Sequence, residues 1–217
     1  MTALALALSY ALGSVPTGLW LGLRLRGVDI RAHGSKNIGA TNTLRVLGKG
    51  LGAIALAGDV GKGAASVLLV AQLSEWEYMP LACGLAAIAG HTWSLFLKFR
   101  GGKGVATSAG VFLGLAPIPA LIGIGAFILS VLTTRMVSIG SIAAAIALAI
   151  AVFFFHDDNL LRGITVAVAL LVVVRHRSNI GRIVRGEESR IWGGGKESNT
   201  DSASEDDPSM SPDEKHN

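Results

Sequence analysis

The sequence predicts an all-α, polytopic integral membrane protein with about seven transmembrane helices, some of them short or broken. Three observations carry that expectation. The 217-residue chain is 51% hydrophobic with 28 glycines and a mean hydropathy of +0.53, too apolar for an ordinary soluble domain. Its apolar residues fall into seven runs separated by polar connections. Its basic residues collect at alternate connections, as the positive-inside rule requires of a chain that crosses a bilayer repeatedly.

The first run, Thr2–Leu23, has no basic residue before it and no small-residue cleavage site after it. It reads as a retained span rather than a removable signal peptide. Leu51–Leu73 and Tyr78–Phe96 are the second and third runs. Val105–Leu115 is short: eleven helical residues rise only about 16 Å against a hydrocarbon core of about 30 Å. A half-span buried in protein fits it. Pro117–Leu132, Val137–Phe155 and Leu160–Val174 complete the set.

Basic residues fix the expected orientation. Arg24, Arg26, Arg31, Lys36, Arg45 and Lys49 follow the first run; Lys98, Arg100 and Lys103 follow the third; Arg135 follows the fifth. Arg175, Arg177, Arg182, Arg185 and Arg190 follow the last. Seven crossings put all of these on one side, with the N-terminus outside and the C-terminus cytoplasmic. Merging residues 105–132 into one crossing would place the last basic cluster outside, so seven are preferred.

Net charge divides sharply along the chain. Residues 193–217 carry seven acids and two lysines, which leaves +9 for residues 1–192 out of the total of +4. The expectation is a membrane domain over 1–192 and a disordered acidic cytoplasmic tail over 193–217. Cys83 is the one cysteine and lies inside an apolar run, so it forms no internal disulfide and argues against a thiolate metal site.

Polar chemistry is concentrated at His33–Gly50, HGSKNIGATNTLRVLGKG, between two apolar runs. Glycines let backbone N–H groups close around an anion, while hydroxyls, amides and a guanidinium add donors to oxygens. Gly-Lys-Gly occurs at 48–50, 61–63 and 102–104, without the glycine spacing or following Ser/Thr of a P-loop, so a Walker nucleotide site is excluded. Gly101-Gly102-Lys103-Gly104 precedes a short helix whose N-terminal amides would face an anion. A basic juxtamembrane loop explains Lys98 and Arg100 but not three glycines around Lys103.

Asp59 and Lys62, three apart in the second run, share a helix face. A structural ion pair and a direct substrate contact are equally open readings. His91 reads as a packing residue, and Ser138 and Ser141 as either helix caps or site hydroxyls. Towards the end of the membrane domain, His176, Asn179 and Arg182 follow at intervals of three, so a continuing helix aligns imidazole, amide and guanidinium. Such groups handle a proton, hold a carbonyl oxygen and grip phosphate.

Taken together, GSKNIGATNTLRVLGKG at 34–50, DVGKG at 59–63, GHTWSLFLKFRGGKGVAT at 90–107, Ser138 with Ser141, and HRSNIGRIVRGEE at 176–188 resemble the bacterial acyl-phosphate-dependent glycerol-3-phosphate acyltransferases, the PlsY family. The resemblance spans nearly all of residues 1–192. It implies acyl transfer from acyl phosphate to the sn-1 hydroxyl of glycerol 3-phosphate, giving lysophosphatidic acid and phosphate at the start of phospholipid synthesis. It also implies an inner-membrane enzyme with its site facing the cytoplasm and no cofactor or metal. Its partners would be the two substrates, membrane lipid and the enzyme that makes acyl phosphate, with none for nucleic acid.

Carried over by position, the resemblance assigns Ser35, His176 and Asn179 to the reacting carbonyl and acceptor hydroxyl. Either His176 or the substrate's own phosphate takes the proton. Arg45, Lys103, Ser138, Ser141 and Arg182 would hold phosphate, with Gly102 and Gly104 shaping the loop around Lys103, while Gly34, Asn37, Thr41 and Asn42 shape the pocket. Two positions depart from the family: Lys36 stands where glycine is usual, and Ser94-Leu95 where Pro-Val is usual. A small anion transporter is the competing class, but its site would lie near the midplane between repeated halves. Here the polar motifs crowd the helix ends.

Overall fold

The computed structural model describes residues 1–191, and the acidic tail expected over 193–217 lies outside them. Among the described residues the regular elements are all helical. They run α1 Thr2–Ser14, α2 Thr17–Arg26, α3 Ala40–Leu47, α4 Lys49–Leu68, α5 Met79–Thr92, α6 Val105–Leu115, α7 Pro117–Thr134, α8 Val137–Phe155, α9 Asn159–Arg175 and α10 Arg177–Val184. Short 3₁₀ turns extend α4 over Val70–Leu73 and follow α5 over Leu95–Leu97.

By length and apolarity, four of these can cross a membrane: α4 and α5 with their 3₁₀ extensions, α7, and α8. The pairs α1–α2 and α9–α10 add two more if each is one span, bent by 49° and 55° respectively. With the short apolar α6, this reproduces the seven-segment pattern expected from the runs. The first run differs in one respect, because it is broken where a single span was expected. Pro16 has no N–H and its ring crowds the preceding turn, so the helix stops at Ser14 and restarts at Thr17.

A break inside a membrane exposes carbonyls that lipid cannot satisfy. Here the protein supplies donors. Lys62 Nζ donates to Val15 O at 2.8 Å, and Ser94 Oγ donates to Ser14 O at 2.6 Å. The Ser94 hydroxyl thus reaches the break from the end of α5. Asp59 accepts from Lys62 at 2.8 Å and from Thr17 Oγ1 at 3.2 Å, so the pair on α4 is fully engaged within the protein.

Glycines let the helices cross closely, which is how membrane helices gain packing contacts. A Cβ on Gly63 would lie 2.2 Å from Thr107 O, and one on Gly110 would lie 1.9 Å from Val60 O. The pair locks α4 against α6 from both sides. A core of Val67, Ile88, Val111, Phe112, Leu148 and Val152 fills the centre of the bundle. Leu121, Leu129, Leu132, Ile150 and Phe154 remain exposed on α7 and α8, as lipid-facing residues must.

Candidate active site

Four connections bearing the basic residues meet at one end of the bundle. Arg45 Nη2 on α3 donates to Ser189 O at 3.4 Å, and Lys103 Nζ donates to Asn179 Oδ1 on α10. Arg175 Nη2 donates to Gly101 O at 3.2 Å and Gly102 O at 2.8 Å. Ile191 N donates to Arg135 O at 2.8 Å, tying the end of the described chain to the α7–α8 connection.

The first polar stretch is organised by Asn42, which is 1% exposed. Its Nδ2 donates to Ile30 O at 2.8 Å and His33 O at 3.2 Å, while its Oδ1 accepts from Ser35 N at 2.8 Å. Asn42 thus shapes the loop with every polar atom of its side chain. Gly34 and Ser35 sit exposed at the loop's surface, with Asn37 and Thr41 half-buried. Lys36 takes φ +58°, the left-handed conformation that glycine adopts without strain.

The second stretch forms a tight loop into α6. Gly104 has φ +81° and begins the helix. Lys103 is half-buried beneath Asn179. Burial, reinforced by repulsion from Arg182, Arg45 and Arg175, pulls its ammonium pKa down to about 8 despite the attraction of Glu188. Burial likewise lowers that of Arg45.

In the third stretch the expected continuous helix bends at His176. His176 is 2% exposed, and its Nδ1 lies 2.8 Å from Val172 O. A carbonyl only accepts, so Nδ1 carries the hydrogen and Nε2 of the neutral ring is the remaining acceptor. Asn179 and Arg182 do share a face, and Glu188 is what joins them. Its Oε1 accepts from Asn179 Nδ2 at 2.6 Å and its Oε2 from Arg182 Nε at 2.8 Å. Burial raises the Glu188 pKa, but the hydrogen bonds from Asn179 and Arg182 and the nearby Ser138 hydroxyl outweigh it and hold the carboxylate below its ordinary value.

Ser138 and Ser141 are buried at the start of α8, and neither caps it. Ser141 Oγ donates back to Val137 O at 2.9 Å. Ser138 Oγ stands close to Glu188 without a hydrogen bond of ordinary geometry. Ser141 also lines a small cavity of about 60 Å³ whose other walls include Val105, Phe112, Leu148 and Val172. That cavity is almost wholly apolar, and Val105 and Val172 in its wall are near Lys103 and His176 along the chain.

Arg45, Lys103, Asn179 and Arg182 are therefore brought together, with Ser138 and His176 at the edge of the same basin, whereas Ser141 lines the apolar cavity. Among the described residues no hydrogen bond joins Ser35 to His176 or Asn179; its recorded bond is from its backbone N to Asn42 Oδ1. Sequence reasoning missed Glu188 and Arg175. An acid inside a strongly basic body was the available signal for Glu188, while Arg175 looked like one more positive-inside charge.

The family model described as glycerol-3-phosphate acyltransferase matches residues 3–186. The chain belongs to that family. Among its relatives, the glycerol-3-phosphate acyltransferase of Trichlorobacter lovleyi is 48% identical over 183 residues, 84% of this chain and 94% of the relative. That of Geobacter sulfurreducens is 48% identical over 185 residues, 85% of this chain and 95% of the relative. The solved structure of PlsY (YgiH), an integral membrane glycerol 3-phosphate acyltransferase in its glycerol 3-phosphate form, superposes with a TM-score of 0.82 at 34% identity, covering 87% of this chain and 94% of that one. Its lysophosphatidic acid form gives 0.80 at 33% identity, over the same shares. This glycerol-3-phosphate acyltransferase is thus a membrane-embedded enzyme, and the polar basin is its candidate site.

Proposed function

We propose that the acyl donor is an acyl phosphate, and that the acyl group passes to the sn-1 hydroxyl of glycerol 3-phosphate to give lysophosphatidic acid and inorganic phosphate. The observation that carries this reading is the convergence of Arg45, Lys103 and Arg182 on one basin at the end of an otherwise apolar helical bundle. A substrate pair with phosphates at one end and an acyl chain at the other fits such a boundary. The two solved relatives above are described in glycerol 3-phosphate and lysophosphatidic acid forms, which supports the same acceptor and product here.

Arg45, Lys103 and Arg182 hold phosphate oxygens, with Ser138 and Ser141 as neighbouring hydroxyls. Ser35 and Asn179 face the reacting carbonyl. The sn-1 hydroxyl oxygen attacks the carbonyl carbon, the carbon–oxygen bond to phosphate breaks, and phosphate departs with the electron pair. An acyl phosphate is a mixed anhydride with a good leaving group, so orientation and charge stabilisation suffice. His176 orients the hydroxyl through Nε2. Its Nδ1 hydrogen is held by the Val172 carbonyl, which fixes the ring and leaves Nε2 to face the substrate. The departing phosphate takes the proton.

The site faces the cytoplasm of a bacterial inner membrane, where the enzyme producing acyl phosphate can approach. A transporter would place its charges at the midplane, whereas these gather at helix ends. Purified protein in detergent, given acyl phosphate and glycerol 3-phosphate, is expected to release phosphate and form lysophosphatidic acid, with acyl-CoA inert. Turnover with acyl-CoA and none with acyl phosphate would overturn the donor assignment.

A further inference from the structure

Three buried polar residues lie outside the basin, and one of them, His91, touches the loop that serves it. Asp59 and Lys62 on α4 and His91 on α5 are 2%, 5% and 4% exposed. Lys62 Nζ meets three acceptors: Asp59 Oδ1 at 2.8 Å, Val15 O at 2.8 Å and His91 Nδ1 at 2.9 Å. An ammonium has three hydrogens and no lone pair, so it donates to all three. His91 Nδ1 is then an acceptor, and the ring hydrogen sits on Nε2.

That Nε2 edge faces the phosphate loop. A Cβ on Gly102 would stand 2.3 Å from His91 Nε2, so the imidazole and the loop backbone are in direct contact. Gly102 N also donates to His91 O at 2.9 Å, and Gly101 N to Thr92 O at 3.2 Å. From the opposite side Arg175 holds the carbonyls of Gly101 and Gly102. The loop is clasped between α5 and α9, and Lys103 is the next residue. Buried ion pairs are weak contributors to net stability and are often replaceable by apolar groups of similar volume. A charge network that fixes a ring against a binding loop has a geometric use that an apolar plug lacks.

We propose that His91, locked by Lys62 and Asp59, is a positioning residue for glycerol 3-phosphate: it sets the height of the Gly101–Gly104 loop and so the reach of Lys103. The glycine at 102 is required by His91, not by the phosphate. This rests on the reading of Lys103 as a phosphate ligand.

The test measures glycerol 3-phosphate binding by calorimetry, together with kcat, KM and thermal midpoint, on purified protein in detergent. For His91→Ala, Kd and KM for glycerol 3-phosphate are expected to rise about tenfold, with kcat changed less than about threefold. His91→Gln, whose amide nitrogen can take the place of Nε2 against Gly102, should bring both back to within about threefold of wild type. Should the alanine variant not fold, His91→Asn, which keeps an acceptor for Lys62 but falls short of Gly102, carries the same expectation. Unchanged Kd and KM, or a loss confined to thermal midpoint and active fraction, would overturn the inference. Wild-type protein that binds glycerol 3-phosphate without transferring acyl groups would remove the reaction proposed above and leave the binding comparison to decide. A wild type with no affinity for it would remove both.

Discussion

Lys103 is where the electrostatics of the site become measurable. Burial and three neighbouring arginines favour its neutral form, bringing its pKa to about 8. Below that pH the ammonium is present and grips an anion; as pH rises through it, the charge is lost. The KM for glycerol 3-phosphate is therefore expected to climb above about pH 8, and Lys103→Arg should abolish that limb of the profile because guanidinium stays protonated. Lys103→Ala should lower kcat/KM by roughly 10²-fold, the scale of a lost charged hydrogen bond. Lys36 gives a second prediction at this scale. Relieving its left-handed φ with Lys36→Gly should stabilise the folded protein by up to about 1 kcal/mol, offset in part by glycine's greater unfolded-state entropy, read as a rise in thermal midpoint. Lys103, Asn179 and Arg182 were legible from spacing alone. Glu188 and Arg175 were not, because their roles come from partners 9 and 73 residues away, Asn179 and Gly102, and no local pattern encodes such contacts.

At the scale of elements, apolar runs revealed the helices well and their breaks poorly. Pro16 marked a stop that hydropathy alone passes over, since the residues on both sides stay apolar. The bend at His176 has no proline, and its Nδ1 hydrogen bond to Val172 O accompanies the turn of direction. Close helix crossings were hidden for a different reason: 28 glycines scattered through the chain do not say which of them meet backbone. Gly110 does, against Val60 O. Gly110→Leu must push α6 away from α4, and overpacking of this kind typically costs about 1–3 kcal/mol or more. The expected result is a lowered thermal midpoint and a loss of activity out of proportion to any change at the basin, because α6 carries the loop of Lys103 at its start. Gly61→Ala makes the control, since a Cβ there meets nothing within 4 Å.

Across the whole molecule, the asymmetry of charge and the convergence of the loops are one property. Basic residues kept on a single side by the positive-inside rule are also the residues that assemble the anion basin, so orientation and substrate affinity draw on the same side chains. The link can be tested by labelling. With buried Cys83 replaced by alanine, single cysteines at Glu75 and Arg100, both exposed, report on opposite ends of the bundle. In intact cells an impermeant thiol reagent is expected to label Glu75→Cys and to reach Arg100→Cys only after permeabilisation. The inverse pattern would place the basin on the outer face, away from any cytoplasmic supply of phosphorylated acceptor. Removing two charges remote from the phosphate, as in Arg24→Gln/Arg26→Gln, separates the two demands. Weaker bias in orientation with unchanged KM among correctly inserted molecules would show that the outer arginines serve topology, leaving Arg45, Lys103 and Arg182 to serve the ligand.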